Sequence, residues 1–451
     1  MMRDTIAAIA TGSGRSAIGI VRLSGPDSLR GVEQLFTPAS GKKLSDYPAS
    51  SLVYGVLRDA EGRIIDRCLA TYSLGPRSYT GEDTAELQCH GSPAVLHSAL
   101  EALFTLGIRQ AEAGEFTRRA FLNDRMDLTQ AEAVIDLIDA ETAAAARCAA
   151  SQLGGSLRRR IEGIYDELVN LMAHFDVVLD YSDEDLDPFD EGEITEAVGK
   201  AAKELQQLAA TYRRGRRLYD GVPCAIVGRP NSGKSSLLNA ILGYDRAIVT
   251  NIPGTTRDTV EEKAVVGGVL LRLIDTAGLR DTEDTVERIG VERSRQALER
   301  AELALVLIDG AKDMTQEDLD ILHMAQNVPN VIVLSTKSDE PDFSLPDLPQ
   351  AIGFSSVTGD GMERLEQEIA ARFPEGATDS GEILTSQRQA QAIARAAECL
   401  QSVFDAMEMG MTPDAVLSDV ELAMDALGEV IGRSVKEDVT QRIFDRFCVG
   451  K

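Results

Sequence analysis

The chain has 451 residues, of which 43% are hydrophobic and 26% charged, and it carries a formal net charge of −27 at pH 7. This length exceeds what one hydrophobic core usually organises, so we expect about two to four domains of ordinary globular composition. The negative charge argues against broad, sequence-independent binding of nucleic acid, so any contact with RNA must use a local basic patch or a more basic partner.

The first 120 residues have the pattern of an α+β domain. Apolar, β-branched segments predict strands, and the spacing of apolar residues from Ala94 to Leu106 predicts a helix. The predicted strands are 17–23, 51–57, 68–72 and 85–89. Arg22 and Glu86 are charges inside two of these strands, and most such charges face solvent.

A helical pattern begins at Phe116 and fills the predicted second domain, residues 121–218. Apolar residues from Leu153 to Val178 recur every three or four positions, which predicts one face of a long helix. The acidic run from Asp180 to Glu193 fits a solvated loop better than a metal site. We interpret the arginines that follow first as a solvated linker and second as a phosphate contact; they are Arg213, Arg214, Arg216 and Arg217.

The predicted third domain, residues 219–378, begins with an apolar strand, a glycine-rich loop and a helix. The loop and the helix start read Gly228-Arg229-Pro230-Asn231-Ser232-Gly233-Lys234-Ser235-Ser236. The two glycines let backbone N–H groups close around phosphates, and the helix start adds its positive dipole end. Lys234 can reach the outer phosphates and the Ser235 hydroxyl can bind magnesium, so this stretch predicts a phosphate-binding loop.

Two polar loops further along are suited to sensing a terminal phosphate. They are Thr250-Asn251-Ile252-Pro253-Gly254-Thr255-Thr256 and Asp275-Thr276-Ala277-Gly278. Thr256 is a candidate magnesium ligand, Asp275 can hold magnesium through water, and the Gly278 N–H can contact the γ-phosphate. Loops of this kind are ordered by a γ-phosphate and released when it is lost.

The segment Thr336-Lys337-Ser338-Asp339 follows a strand and predicts recognition of guanine. Guanine offers two neighbouring donors that one carboxylate accepts, whereas adenine has an acceptor at N1, so Asp339 disfavours a generic ATPase. The stem of Lys337 can cover the base. The strand end Ser355-Ser356-Val357 can present N–H groups to the guanine oxygen. With strands alternating with helices, these elements predict an α/β GTPase domain with a mainly parallel, doubly wound sheet.

Two positions depart from the usual GTPase pattern. Thr336 stands where asparagine is usual, and its hydroxyl has fewer hydrogen-bonding groups than an amide. We therefore expect GTP selectivity with a somewhat weakened nucleotide affinity. Leu279 stands where Ras-type enzymes place a water-orienting glutamine, so another group must position the water.

Helical periodicity returns in residues 379–451, so the nucleotide domain is predicted to be inserted between two halves of a helical domain. The six cysteines form no CxxC pair, and neither a zinc site nor a disulfide framework is expected. No apolar run is long enough to span a bilayer, and the first residues lack the apolar core of a signal peptide. We therefore expect a cytoplasmic protein without membrane contact.

Several further motifs are shared with one family. They are Gly81-Glu82-Asp83, Gly114-Glu115-Phe116-Thr117, Arg119-Ala120-Phe121-Leu122-Asn123, Asp127-Leu128-Thr129-Gln130-Ala131-Glu132-Ala133 and Cys448-Val449-Gly450-Lys451. With the GTPase motifs, they make nearly the whole chain resemble the MnmE (TrmE) family of bacterial tRNA modification GTPases. The resemblance implies a folate-binding-like α+β domain that also dimerises, an α-helical central domain and an inserted Ras-like GTPase domain. The family usually ends in Cys-Ile-Gly-Lys, so Val449 is a mild departure.

The resemblance also implies the ions of a potassium-dependent GTPase. The implied magnesium (Mg²⁺) ligands are Ser235 and Thr256, and the implied potassium (K⁺) ligands are Asn231, Thr255 and the carbonyls of Thr250 and Ile252. Glu287 matches a glutamate that positions water indirectly, and it is an implied catalytic residue together with the phosphate-contacting Lys234. A cation at the potassium site could neutralise charge developing between the β- and γ-phosphates, as an arginine finger does. Without the resemblance, Glu287 would be interpreted as an exposed helix charge.

The same resemblance implies a site for 5-formyl- or 5,10-methylene-tetrahydrofolate. The corresponding residues are Arg22, Glu86, Arg125 and Lys451. Cations suit the folate carboxylates, and Glu86 can accept hydrogen bonds from the pterin. Arg125 replaces the family's common lysine and changes the geometry, and Ser92 replaces the second glycine of a His-Gly-Gly sequence. Cys448 is interpreted as structural rather than nucleophilic, because no base partner is visible in the sequence.

The resemblance finally implies partners and a reaction. The partners are a second copy of the chain, the FAD-dependent MnmG (GidA) in a heterotetramer, and tRNA. GTP would be hydrolysed to GDP on dimerisation of the GTPase domains, and an aminomethyl or carboxymethylaminomethyl group added at C5 of the wobble uridine, position 34, of certain tRNAs. The alternative is a regulatory GTPase of the Era or EngA type in ribosome assembly, but no GxxG-centred basic module follows the nucleotide domain.

Overall fold

The computed structural model describes residues 4–12, 14–180, 191–244, 262–274, 295–348, 350–374, 380–409, 411, 413–433, 440 and 443–450. The chain divides into two compact units. One comprises Met1–Ile135 with Met424–Lys451, and the other comprises Asp136–Ala423.

The first unit is built on a seven-stranded sheet. Its strands are β1 (Ile6–Ile9), β2 (Ile18–Ser24), β3 (Phe36–Pro38), β4 (Val53–Arg58), β5 (Ile64–Ser73), β6 (Thr84–His90) and β7 (Arg109–Gln110). Their order is β3-β4-β5-β6-β2-β1-β7, and every neighbouring pair is antiparallel except β1 with β7. Inward and outward residues alternate in β4, where Val53 and Leu57 are buried, as in a sheet with one face on the core.

Four helices accompany this sheet in the chain. They are α1 (Ser28–Leu35), α2 (Pro93–Phe104), α3 (Glu115–Leu122) and α4 (Leu128–Ile138). Val32 of α1 and Leu96 and Leu103 of α2 join the strands in one hydrophobic core. Asp127 begins α4, because its Oδ1 accepts the backbone N–H groups of Thr129 and Gln130 at 2.7 and 3.1 Å.

The last residues of the chain complete the first unit. The ring of Phe444 lies 6.3 Å from that of Phe121 and 5.6 Å from that of Phe447. Gly114 has φ +63°, and a Cβ there would lie 2.6 Å from the Phe444 carbonyl oxygen, so only glycine fits beside this segment. Val449 pairs with Ala113 in an antiparallel bridge.

The second unit begins with helices. They are α5 (Ala143–Leu153), α6 (Ser156–Asp180), α7 (Glu191–Ala210) and α8 (Tyr212–Asp220). The predicted long helix is α6, but the prediction that it includes Leu153 is wrong, because the left-handed Gly155 (φ +81°) separates α5 from α6. Most of the predicted acidic loop lies at 181–190, outside the described residues.

The four arginines predicted to form a solvated linker instead lie on α8. Arg213 and Arg217 both pair with Glu302, the Arg213 Nη2 at 3.2 Å from its Oε1. Arg216 pairs with Asp220 of the same helix at 2.6 Å. The side chains of Arg213 and Arg216 remain mostly exposed, so the solvated interpretation holds for these two and not for Arg217.

The nucleotide domain follows α8. Its elements are β8 (Val222–Gly228), α9 (Lys234–Tyr244), β9 (Glu262–Val266), β10 (Val269–Ile274), β11 (Leu303–Asp309), α10 (Gln316–Ala325), β12 (Asn330–Thr336), β13 (Ile352–Phe354) and α11 (Met362–Arg372). The sheet order is β13-β12-β11-β8-β10-β9, parallel throughout except for the β9–β10 pair. All seven residues of β11 are buried, as expected for a central parallel strand.

Helices return as α12 (Gln387–Glu408) and α13 (Pro413–Ile431). The Ser386 hydroxyl begins α12 by accepting the Gln389 N–H, and α12 packs along α7. The predicted fold class is therefore confirmed: an α+β sheet domain is followed by helices that enclose a parallel α/β domain in the chain order. Within the described part of the chain, none of the helices has both the length and the apolar character that a bilayer crossing requires.

Candidate nucleotide site

The carboxyl ends of the parallel strands meet at one edge of the six-stranded sheet, where α/β proteins bind their ligands. The phosphate loop joins β8 to α9 at this edge. A Cβ on Gly228 would lie 2.6 Å from both the Leu307 carbonyl oxygen and the Ser232 Oγ, so the loop can pass β11 only with glycine there. Asn231 (φ +63°) and Gly233 (φ +91°) take left-handed conformations that curl the loop in front of the helix.

Lys234 lies across this loop. Its Nζ donates to the carbonyl oxygens of Gly228 and Arg229 at 2.8 and 2.7 Å. Burial lowers the pKa of Lys234, because desolvation penalises the ammonium. A phosphate oxygen is a stronger acceptor than these carbonyls, so the ammonium is positioned to exchange them for a nucleotide's outer phosphates.

The serines of the loop divide by burial. Ser232 is buried beneath the loop, whereas Ser235 and Ser236 are exposed in the first turn of α9. The predicted magnesium ligand Ser235 is therefore accessible from the edge where phosphates would lie. The exposed Asn231, predicted to hold potassium, lies on the same loop.

Thr336, which stands in place of the usual asparagine, connects β12 to the phosphate loop. Its Oγ1 lies 2.8 Å from the Ser232 carbonyl oxygen and 3.1 Å from that of Ile308. Both acceptors compete for one hydroxyl proton, whereas an amide would offer two. The structure thus gives the expected weak point a specific location, the link between β12 and the loop.

Lys337 has a partner that the sequence analysis missed. Its Nζ lies 2.8 Å from Oδ2 of Asp309, the last residue of β11, and its backbone is left-handed (φ +63°). This hydrogen bond raises the pKa of Lys337. Burial alone would raise the pKa of Asp309, but the bond from Lys337 holds it below the usual value. A carboxylate at the end of a buried strand was the signal that could have identified Asp309.

Asp339, predicted to select guanine, is exposed and oriented by one neighbour. The Ser355 hydroxyl, itself buried, donates to its Oδ1 at 2.6 Å. The same hydroxyl oxygen accepts the N–H groups of Val357 and Thr358 at 3.1 and 3.2 Å. The Val357 N–H therefore has a partner in place of the predicted guanine oxygen, while the Asp339 carboxylate retains acceptor capacity for a base.

A second unpredicted contact ties the phosphate loop to α10. The Nε of Arg229 donates to Oδ1 of the buried Asp318 at 2.7 Å. The other oxygen of Asp318 accepts the N–H and hydroxyl of Thr315 at 2.9 and 3.0 Å, forming the cap of α10. One carboxylate thus fixes both a helix start and the loop.

Part of the predicted site lies outside the described residues. This part comprises Thr250, Asn251, Ile252, Pro253, Gly254, Thr255 and Thr256, Asp275, Thr276, Ala277 and Gly278, Leu279 and Glu287, together with the folate candidate Lys451. The roles expected of these residues stay predictions.

The other folate candidates come together in the first unit. Arg22 and Glu86 are directly opposite each other on β2 and β6, with Nε and Oε1 2.8 Å apart and about a quarter of each side chain exposed (23% and 24%). The expectation that they face solvent is therefore wrong. The Arg22 guanidinium also lies 5.8 Å from the Tyr79 ring centre, and Arg125 Nε donates to the Ser78 carbonyl oxygen at 3.2 Å. Arg22 and Arg125 thus both adjoin the 78–79 segment, and Glu86 is joined to it through Arg22.

Three of the motifs shared with the family contribute Glu82, Glu115 and Arg119 to an ionic network that is buried at Glu115 and Arg119. Arg119, 1% exposed, contacts Glu115 at 2.9 Å, Glu82 at 3.0 Å and Asp4 at 3.0 Å. Arg109 grips Glu115 through both its terminal nitrogens, at 2.9 and 2.7 Å. These three motifs, which gave no chemical signal in the sequence, are therefore linked to one another through Arg119.

A parallel α/β domain with a glycine-rich loop and an exposed aspartate at its carboxyl edge has the architecture of a guanine-nucleotide-binding protein of the GTPase class. Residues 5–125 match the family described as "GTP-binding protein TrmE N-terminus", and residues 128–448 match the "MnmE helical domain". The chain belongs to the MnmE (TrmE) family of tRNA modification GTPases, and with this membership it is a GTP-hydrolysing enzyme.

Curated relatives cover the whole length. The chain is 44% identical to the tRNA modification GTPase MnmE of Symbiobacterium thermophilum, with 100% of both chains covered. It is 40% identical to the protein of the same name from Clostridioides difficile, with 99% of each covered. It is 41% identical to that of Alkaliphilus metalliredigens, again with 99% of each covered.

Proposed function

We propose that the protein uses GTP hydrolysis in the modification of tRNA, with GTP and GDP bound at the carboxyl edge of the six-stranded sheet. The observation that carries this proposal is the Asp339 carboxylate, held by Ser355 on the edge that also carries the phosphate loop. A carboxylate there accepts both donors of guanine and repels the N1 lone pair of adenine. The tRNA substrate follows from the names of the relatives.

The test exchanges the acceptor for a donor. Asp339→Asn presents an amide N–H toward C2 of the base, where xanthine has an oxygen and guanine an amine. We expect the ratio of kcat/KM for GTP to that for XTP to fall by about 100-fold or more, since two charge-assisted hydrogen bonds are lost. The exposed neighbour Asp342 provides the control, as Asp342→Asn should leave the ratio unchanged. An unaltered ratio in Asp339→Asn would contradict guanine selection by this residue.

We further infer that hydrolysis depends on two ions. Ser235 and Thr256 would hold magnesium, which supplies charge neutralisation at the phosphates. Asn231, Thr255 and the carbonyls of Thr250 and Ile252 would hold potassium, and Glu287 would position water in place of the missing glutamine. The exposure of Asn231 and Ser235 at the phosphate loop supports this arrangement. We expect faster GTP turnover in KCl than in NaCl at equal ionic strength, and Glu287→Ala to lose this stimulation while still binding GTP. Equal GTP turnover in both salts would exclude the proposed dependence on potassium.

For the first unit we propose a tetrahydrofolate one-carbon donor at Arg22, Glu86, Arg125 and Lys451. Support comes from the half-buried Arg22–Glu86 pair beside Tyr79 and from Arg125 on the adjoining segment. Gly450, next to Lys451, packs against Ile9, and the preceding Ala8 is directly opposite Arg22. Calorimetric titration with 5-formyltetrahydrofolate should give binding that Arg125→Met weakens about 10-fold and the distant Arg30→Met does not. Binding equal in both variants would exclude Arg125.

The remaining organisation is proposed on family membership. The predicted boundaries, 1–120, 121–218, 219–378 and 379–451, would separate the folate-like and dimerising domain, the two helical halves and the GTPase domain. A homodimer would act in the cytoplasm with a flavoprotein of the MnmG type on the wobble uridine of certain tRNAs. Mass spectrometry of tRNA nucleosides, after reaction with and without each component, would test this. Formation of the modified uridine without the flavoprotein would contradict it.

A further inference from the structure

Two cysteines 21 positions apart in sequence (Cys68 and Cys89) become neighbours in the first unit. Gly55 of β4 is opposite Cys68 of β5, and Gly19 of β2 is opposite Cys89 of β6. Since Leu69 is opposite Gln88, the register places Cys68 and Cys89 side by side on the buried face between those glycines. Both thiols are nearly inaccessible, at 4% and 2% exposure, and neither is in a disulfide.

The carboxylate of Asp66 lies close to the two sulfur atoms. Asp66, two residues before Cys68, projects from the same face of β5, and one of its oxygens lies with the two Sγ atoms in a group whose members are all within 4.8 Å of one another. Paired cysteines alone are common in hydrophobic cores. This pair differs, because a carboxylate oxygen lies beside the sulfurs, and its charge is held there by hydrogen bonds from the backbone N–H of Arg67 and from His90.

Hydrogen bonds with His90 also hold the Asp66 carboxylate in position. Its Oδ2 accepts the backbone N–H of His90 at 2.8 Å, and its Oδ1 lies 2.8 Å from His90 Nδ1. The Asp66 side chain is only 10% exposed, whereas the His90 ring is 73% exposed and faces water. A carboxylate supported by a second residue in this way is the usual arrangement around a bound metal ion.

We propose that Asp66, Cys68 and Cys89 form a binding site for a thiophilic divalent cation of the zinc type. Two sulfurs and one oxygen suit zinc or cadmium and not magnesium or calcium, which require oxygen ligands. Zinc–sulfur and zinc–oxygen bonds of about 2.3 and 2.1 Å need donor atoms about 3.4–3.8 Å apart. The donor atoms of the present group lie within 4.8 Å of one another, so closing each pair by at most about 1.4 Å brings them to these distances.

Binding releases two protons. The cation forms bonds to both sulfurs as the two S–H bonds break, their protons go to solvent, and the ionised Asp66 adds a third bond without proton loss. A fourth position remains for water on the His90 side. The ion would link β5 to β6 at Cys89, near the end of β6, whereas Glu86 lies near the start of that strand. Its role would be to stabilise the sheet.

The experiment uses the full, reduced, nucleotide-free chain titrated with Co²⁺ and Cd²⁺ as spectroscopic probes for zinc. We expect one ion per chain with thiolate-to-metal charge-transfer absorption, and a rise in melting temperature with Zn²⁺. Cys68→Ser should lose most of that absorption and the thermal shift. Asp66→Asn should keep the absorption and bind about 10- to 100-fold more weakly. Cys399→Ser, which removes a thiol of α12, should behave as the unchanged protein.

Three results would overturn the proposal. The first is the absence of thiolate absorption in the unchanged chain, and the second is absorption that Cys68→Ser leaves intact. The third is a disulfide between Cys68 and Cys89 that forms in air and persists with excess Zn²⁺, which would identify a redox pair instead. If Cys68→Ser does not fold, Asp66→Asn decides the matter through its weakened binding.

Discussion

One hydroxyl, that of Thr336, decides how firmly the base-binding segment is joined to the phosphate loop. It can give its proton to Ser232 or to Ile308 but not to both, although both carbonyl oxygens lie within 3.1 Å. The loop carbonyl therefore shares a donor at the place where nucleotide binding requires a fixed geometry.

Thr336→Asn should tighten the binding of GDP by a few-fold, because an amide supplies two donors to the two carbonyls. Thr336→Val should weaken it by about 5-fold or more, since the Ser232 carbonyl loses its partner. Fluorescent GDP titrations measure both effects, and Thr37→Val, at an exposed position of β3 in the first unit, is the control. An unchanged affinity in Thr336→Asn would show that the second donor has no effect.

Glu115 gives the first unit a predictable dependence on pH. Burial would raise the pKa of Glu115, but the hydrogen bonds from Arg109, the Glu112 N–H and Arg119 outweigh it and lower the pKa below 4.5. The ionised form is therefore favoured in the folded state. Its contribution is complete above the unfolded pKa and is lost as pH falls through the lower folded value.

Glu115→Gln should accordingly reduce local stability by about 1–3 kcal/mol at neutral pH, because the buried Arg119 loses one charged partner while it keeps Glu82 and Asp4. The difference from the unchanged protein should shrink below pH 4.5, where that protein loses the same interaction. Amide hydrogen exchange of β1 and α3 in the full chain measures it. The exposed Glu112→Gln should differ by less than about 0.5 kcal/mol at every pH. A difference for Glu115→Gln that is independent of pH would contradict this account.

At the scale of elements, α10 and the phosphate loop are linked through the single carboxylate of Asp318. Asp318 uses one oxygen for the cap of α10 and the other for Arg229. Cutting only the second contact should loosen the loop and leave the helix intact.

Arg229→Met tests this coupling. We expect kcat/KM for GTP to fall by about 10-fold, since the loop's N–H groups are less well preorganised for phosphate, while helix content stays constant by circular dichroism. Asp320→Asn, an exposed acid on the same helix, should leave turnover unchanged. Normal GTP turnover in Arg229→Met would show that the loop keeps its shape without α10.

For the molecule as a whole, the charge of −27 sets the expected mode of RNA contact. The arginines of α8, the densest basic cluster in the sequence, are partly neutralised by Glu302 and Asp220. We expect the isolated chain to bind tRNA weakly and with a shallow dependence of affinity on salt, so that a partner supplies most of the phosphate contacts. Filter binding across a salt series would measure this, and tight binding with a steep slope would contradict it.

The sequence by itself determined the fold class and predicted the chemistry of the nucleotide edge. Period-two and period-3.6 patterns reflect which face of each element is buried, and the order of loop after strand places Lys234 and Asp339 on one edge of any parallel sheet. These signals are local, so a linear chain carries them.

Only the tertiary structure decided which distant residues meet. Arg22 with Glu86, Arg229 with Asp318, Lys337 with Asp309, and Cys68 with Cys89 are brought together by strand order, register and helix packing. No periodicity in the sequence encodes such pairings, because register depends on the joint burial of all strands in the sheet. The arrangement of charges and thiols therefore followed from the packing of the fold rather than from any motif.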